Sequence, residues 1–158
     1  MKTLKEFMQE RKYIAVIYDD ETQIKLREWA INNGFDLTIN YDGEAQEEKD
    51  FDFHTTIFYT TNEVYLKNKT IPEPPTEVKV SGIKFLGVNQ DVPVLSVSLS
   101  GGVKKIRLHY EMMGLLDKWP SYMPHISLSY SNDKVLLDNV VLPDFKLKFD
   151  KIVIEGLK

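Results

Sequence analysis

Two β-prone runs, one in each half of the chain, carry the same short word: a His followed two residues later by a hydroxyl side chain. They are Phe51-Asp52-Phe53-His54-Thr55-Thr56-Ile57-Phe58-Tyr59 and Met123-Pro124-His125-Ile126-Ser127-Leu128-Ser129-Tyr130. Aromatic and β-branched residues favour an extended backbone, in which alternate side chains share a face. His54 and Thr56 therefore lie on one face of their strand, and His125 and Ser127 on one face of theirs. The fold must either bring those two faces to one opening or leave two unrelated strand histidines. The chain has three histidines, and two of them occur in the same word, in the same setting, at similar places in the two halves. That recurrence favours a paired site.

The order of elements around the two words repeats loosely. Thr3 suits the N-cap of a short helix running to residue 10, and 13–18 reads as a buried strand. Asp19 and Asp20 can cap a helix that runs to about Asn33, with Gly34 as its stop. Leu26, Trp29, Ala30 and Asn33 fall on one face of that helix, so Trp29 reads as core. A short strand is expected over 35–39, and the acidic stretch 42–50 reads as a solvated loop before the His54 strand. Ile71-Pro72-Glu73-Pro74-Pro75 is a stiff connection poor in backbone donors. After it, 78–88 and 92–100 read as strands and 103–118 as a helix. A turn rich in proline, 119–124, leads into the His125 strand, and 145–157 supplies one or two closing strands. The expectation is an α+β fold, a single domain over 1–158. It would be built as two pseudo-symmetric α/β lobes with antiparallel sheets around a central cleft. The lobes would span about 1–70 and 76–158, joined by 71–75.

A chain of 158 residues with 42% apolar and 28% charged residues can bury a sizeable core. The absence of cysteine excludes disulfides, thiolate catalysis and Cys-ligated metal sites. No H-E-x-x-H or His-rich metal word occurs, and neither metal nor cofactor is expected. A net charge of −4 argues against a long nucleic-acid partner, which many Lys and Arg contacts would have to hold. A small phosphate ligand needs only a local positive pocket. No segment resembles a secretory signal or is apolar enough to span a bilayer, so the expected location is the cytosol, without membrane contact. No obligate protein partner is implied.

Histidine is the side chain best able to give and take protons near neutral pH. A 3′–5′ phosphodiester with a neighbouring 2′-hydroxyl is cut when that hydroxyl attacks phosphorus in line. The step needs a base for the 2′ proton and an acid for the departing 5′ oxygen. One neutral and one protonated imidazole on opposing lobes, His54 and His125 in either order, meet both needs without a metal. Thr56 and Ser127 would bind the non-bridging oxygens and hold the phosphate between the rings. The first product would be a 2′,3′-cyclic phosphate, which water could open with the His roles exchanged.

Other residues have weaker claims. Tyr18, Tyr122 and Trp119 are candidates for stacking on bases, each with a core role as the alternative. Glu155, the acid on an otherwise apolar run, reads as an acceptor for a base edge or as an edge-strand solubiliser. Arg107, beside Lys104 and Lys105, is a candidate phosphate contact or part of a solvated helix face. His109 has Glu111 two residues on, not a hydroxyl, and reads as an ordinary helix residue.

With both words on strands, the chain resembles the 2H phosphoesterases, whose mark is a pair of H-x-[ST] motifs on two pseudo-symmetric lobes. His54–Thr56 and His125–Ser127 match that mark one for one. Ser127 departs mildly from a Thr at its position and keeps the hydroxyl. The opening Met-Lys-Thr-Leu-Lys-Glu-Phe-Met-Gln-Glu, the Phe-His-Thr-Thr run and the overall length are similar to the anti-CBASS nucleases of T4-like phages. The resemblance implies a phage enzyme of the host cytosol that degrades cyclic di- and trinucleotide messengers such as 3′,3′-cyclic GMP-AMP, silencing a bacterial defence. Three other readings stay open: a 2H enzyme acting on RNA ends, a protein that sequesters a nucleotide without cutting it, and a structural protein whose histidines serve packing.

Overall fold

The computed structural model describes residues 12–60, 77–87, 92–98, 102–112, 123–131 and 136–156. In chain order the elements are β1 (Lys12–Tyr18), α1 (Asp20–Asn32), β2 (His54–Thr60), β3 (Glu77–Val78), β4 (Val80–Leu86), β5 (Val92–Val97), α2 (Gly102–Met112), β6 (His125–Ser127) and β7 (Leu147–Gly156). Short 3₁₀ turns lie at Glu48–Asp50 and Leu137–Asn139.

Apolar alternation accounts for the first layer. Ile14, Val16 and Tyr18 on β1 are buried in one cluster with Leu26 and Ala30, which lie a turn apart on α1. Asp19 caps α1 by accepting the Thr22 N–H at 2.9 Å, and Asp20 and Glu21 suit the positive end of its first turn. Gly34 follows the helix at φ +85°, a left-handed conformation that favours glycine. Trp29 packs against the same cluster and donates its indole N–H to the Val141 carbonyl at 2.8 Å, the core role expected of it.

Two antiparallel sheets result, one ordered β2-β1-β7-β3 and the other β4-β5-β6. They make an α+β fold, but they do not follow the halves of the chain. β7 pairs with β1 along most of its length, on the side that β2 leaves open, and β3 pairs with β7 in turn. A buried strand edge needs partners for its backbone groups, and this apolar C-terminal strand supplies them. The first sheet draws strands from both sides of the proline-rich connection. That connection and the helix expected over 3–10 lie outside the described residues.

The strand expected over 35–39 is reduced to a single bridge between Ile39 and Ala45. Asp36 accepts the Thr38 N–H at 2.8 Å and Asp42 the Glu44 N–H at 3.0 Å, so side chains take backbone donors that a ladder would have used. Gly43, at φ +85°, makes the turn between Ile39 and Ala45. Among the described residues no helix is long and apolar enough to cross a membrane.

Candidate active site

β2 and β6 are each the edge strand of their sheet, and the two edges lie against one another. On β2, His54 pairs with Ile17 and Thr56 with Ala15, so both side chains share a face and are half-buried. Thr55, between them, is fully buried on the opposite face, where its hydroxyl meets that of Tyr18 at 2.7 Å. On β6 the same alternation leaves His125 and Ser127 half-buried around a fully buried Ile126. The alternation read from each word is thus present on both strands.

The start of β2 is held by Gln23 of α1. Its amide donates to the Phe53 carbonyl at 2.7 Å and accepts the Phe53 N–H at 2.9 Å, as a neighbouring strand would. Gln23 and Phe53 are buried, so no water replaces those bonds readily. Gln23→Ala should cost about 1–3 kcal/mol in stability. A melting curve checks this; unchanged stability would show that the bracket carries nothing.

Both rings are oriented by one device. His54 Nδ1 lies 3.2 Å from the Asp52 carbonyl, and His125 Nδ1 lies 2.8 Å from the Met123 carbonyl, each two residues back. A carbonyl oxygen can only accept, so it selects the tautomer with the proton on Nδ1 and leaves Nε2 as the basic nitrogen. Burial pushes the His125 imidazole below its ordinary value, and the charges of His54 and Lys84 push the same way, against the Met123 hydrogen bond. His125 is therefore biased toward its neutral form, and the two histidines are close enough to feel each other's charge.

The second word has support that its short motif did not announce. Burial raises the Tyr130 phenol above its ordinary value, and the Ser127 hydroxyl beside it pulls the other way, in the sense of a hydroxyl that donates to the phenol oxygen. The Tyr130 ring stacks on Phe51, with centroids 5.7 Å apart, and Phe51 meets Phe53 at 4.9 Å. An aromatic chain thus joins the approach to His54 with the residue beside Ser127. Lys84 was also missed. Register alone reveals it: Lys84 pairs with Val94, and Val94 with Ser127, so one cross-strand row carries both polar groups.

The remaining candidates fall differently. Tyr18 is corrected to a core residue. The β1–β7 register shifts between Ile17 and Tyr18, and the ring packs 4.9 Å from Phe149 at 1% exposure, leaving no open face for a base. Arg107, on α2, serves β2. Ile57 is an extra residue in the β1–β2 ladder, and Arg107 donates to its carbonyl at 2.7 Å while lying over the Phe58 ring and pairing with Glu111. These contacts tie α2 to β2. Glu155 lies on β7 opposite Tyr13 of β1, in alternation with Val153 opposite Ala15. Trp119 and Tyr122 lie outside the described residues. His109 sits on α2, as expected. Among the described residues no group of three or more His, Asp and Glu side chains is placed to hold a metal ion.

No curated protein matches the chain. The model of one protein family, described as anti-CBASS protein Acb1, matches residues 10–158 and so takes in both His strands and the sheets that carry them. The chain belongs to the Acb1 family of anti-CBASS proteins.

Proposed function

We propose that the protein opposes CBASS by hydrolysing 3′–5′ bonds in cyclic di- and trinucleotide messengers such as 3′,3′-cyclic GMP-AMP, with its own histidines as acid and base and no metal in the chemical step. One observation carries the reading. Two edge strands meet, each presenting a half-buried His with its Nδ1 on a carbonyl two residues back, and a hydroxyl one alternation further. An anti-CBASS family implies a cyclic oligonucleotide as the ligand, and this pair is suited to its phosphodiester.

The bias of His125 toward the neutral form makes it the base of the first step. Its Nε2 takes the proton of the 2′-hydroxyl, whose oxygen forms a bond to phosphorus as the bond to the 5′ oxygen breaks. Protonated His54 gives its Nε2 proton to that leaving oxygen. The products are a 2′,3′-cyclic phosphate and a free 5′-hydroxyl, with one proton moved from one imidazole to the other. Water can then open the cyclic phosphate with the roles reversed. Thr56 and Ser127 donate to the non-bridging oxygens. Mutual repulsion of two imidazolium charges favours one proton shared across the pair, the state this step requires.

The test is product analysis by chromatography and mass spectrometry after incubation with 3′,3′-cyclic GMP-AMP in excess EDTA. Linear products ending in a 2′,3′-cyclic or terminal phosphate are expected. The same ring with hydrogen in place of both 2′-hydroxyls should survive intact. Cutting of that deoxy ring would contradict attack by the 2′-hydroxyl. A native ring left untouched would sink the cyclic-dinucleotide reading and move the search to RNA ends.

A further inference from the structure

A depression of about 360 Å³ opens beside His125 between β4, β5 and the approach to β6, lined by Ser81, Lys84, Ser96, Ser98, Met123 and Pro124 among others. Its contents are those of an anion site: one ammonium and three hydroxyls over an apolar wall. Resting on the hydrolase reading above, we propose that this depression holds the second, non-reacting phosphate of a cyclic dinucleotide while the first lies between the histidines, with Lys84 as its cationic contact.

Register places the depression directly beside the reacting site. Gly82 pairs with Ser96, and Ser96 with His125, so one row runs from the depression to the catalytic ring. Residues opposite one another on antiparallel strands are near neighbours on the same face. Lys84 stands in the adjoining row with Ser127. Among the described residues its ammonium meets the Met123 thioether, 3.3 Å away. A thioether is a weak acceptor for a full positive charge, so a phosphate oxygen would replace it with a stronger, charge-assisted bond. Lys84 is also near enough to act on His125 electrostatically.

Gly82 supports the same assignment. Its φ is not in the left-handed region that calls for glycine, and a Cβ built on it meets nothing within 4 Å. Gly82 closes the register shift after Val80, opposite Ser96, and the space beside it is open. A ring of two nucleotides brings two phosphates to the protein at once, and only one can sit between the imidazoles. A cation beside an unfilled, hydroxyl-lined floor one row away meets the need of the other.

The experiment compares a ligand with two phosphates against a ligand with one. The first probe is 3′,3′-cyclic GMP-AMP with both 2′-hydroxyls replaced by hydrogen; the second is the linear 2′-deoxy dinucleoside monophosphate of the same bases. Titration calorimetry is run on the full chain, on Lys84→Met, which removes the charge and keeps the length, and on Gly82→Val, which fills the floor and keeps the charge. Both substitutions should weaken the ring by about tenfold or more and the linear probe by less than about twofold. Equal losses for the two probes, or none for either, would overturn the subsite. So would failure of the unsubstituted protein to bind the ring. Differential loss in a protein that never cuts the ribose ring would retain the subsite and refute the hydrolase reading, so the two can fail separately.

Discussion

His54→Ala and His125→Ala should each lower kcat/KM for the cyclic dinucleotide by about 10²–10⁴-fold, the usual worth of a positioned acid or base. Stability should change little, because both rings are half-buried and their Nδ1 bonds are made to carbonyls of the same short segments. The double variant should lose far less than the product of the two single losses, since each histidine is useful only when the other moves its proton. The profile of rate against pH should be bell-shaped, and its acid limb should lie below the ordinary imidazole value of 6.5, because burial holds His125 down. As pH falls through that limb, His125 gains a proton and can no longer accept one from the 2′-hydroxyl. Folding carries the same sign. The unfolded imidazole binds its proton first as pH falls through 6.5, so the contribution of a neutral His125 is complete above that pH and is lost below it. A variant lacking either ring with a rate within tenfold of the parent would remove the pair from the chemistry, and a rate still climbing steeply through pH 9 would exclude the acid.

Phe53→Ala should cost about 3–5 kcal/mol, the loss expected when a fully buried aromatic leaves a cavity. Each kcal/mol lowers the melting temperature of a chain of this size by roughly 2–4 °C, so a drop of about 10 °C should be plain in a thermal melt. The position concentrates several supports. Phe53 packs against Phe51 and Phe51 against Tyr130, which lies beside Ser127, while the Phe53 backbone is bracketed by Gln23. Truncation therefore acts on both His strands at once, and activity should fall more at temperatures approaching the melt than well below it. Phe53→Leu, which keeps most of the volume, should retain most of the stability. A melting temperature within about 2 °C of the parent for Phe53→Ala would mean that the cluster closes over the cavity and that the aromatic chain is not what joins the two strands.

Much of the site was legible along the chain because alternation and capping are properties of a few consecutive residues. The faces of His54–Thr56 and His125–Ser127, the cap at Asp19, the stop at Gly34 and the core role of Trp29 all follow from neighbours within a turn or a strand. Where that reasoning failed, a distant segment intervened. Tyr18 ends its strand with an aromatic that a base could have used, yet a register shift against β7 turns it onto Phe149. Arg107 belongs to a basic cluster on a helix, and an extra residue in β2 leaves a carbonyl that claims it. The strand expected over 35–39 is reduced to one bridge because Asp36 and Asp42 hold backbone donors locally.

The sequence alone was sufficient to name the two histidines, their hydroxyl partners and the face each pair occupies. It carried no sign that Lys84 would stand in a row with Ser127, that Tyr130 would lie beside that serine, or that the last strand would cross back to complete the first sheet. Those outcomes depend on which edges pair and in what register, and segments far apart in the chain compete to satisfy the same backbone groups. A side chain's face is set by its own strand; its neighbours are set by the strand that wins the edge.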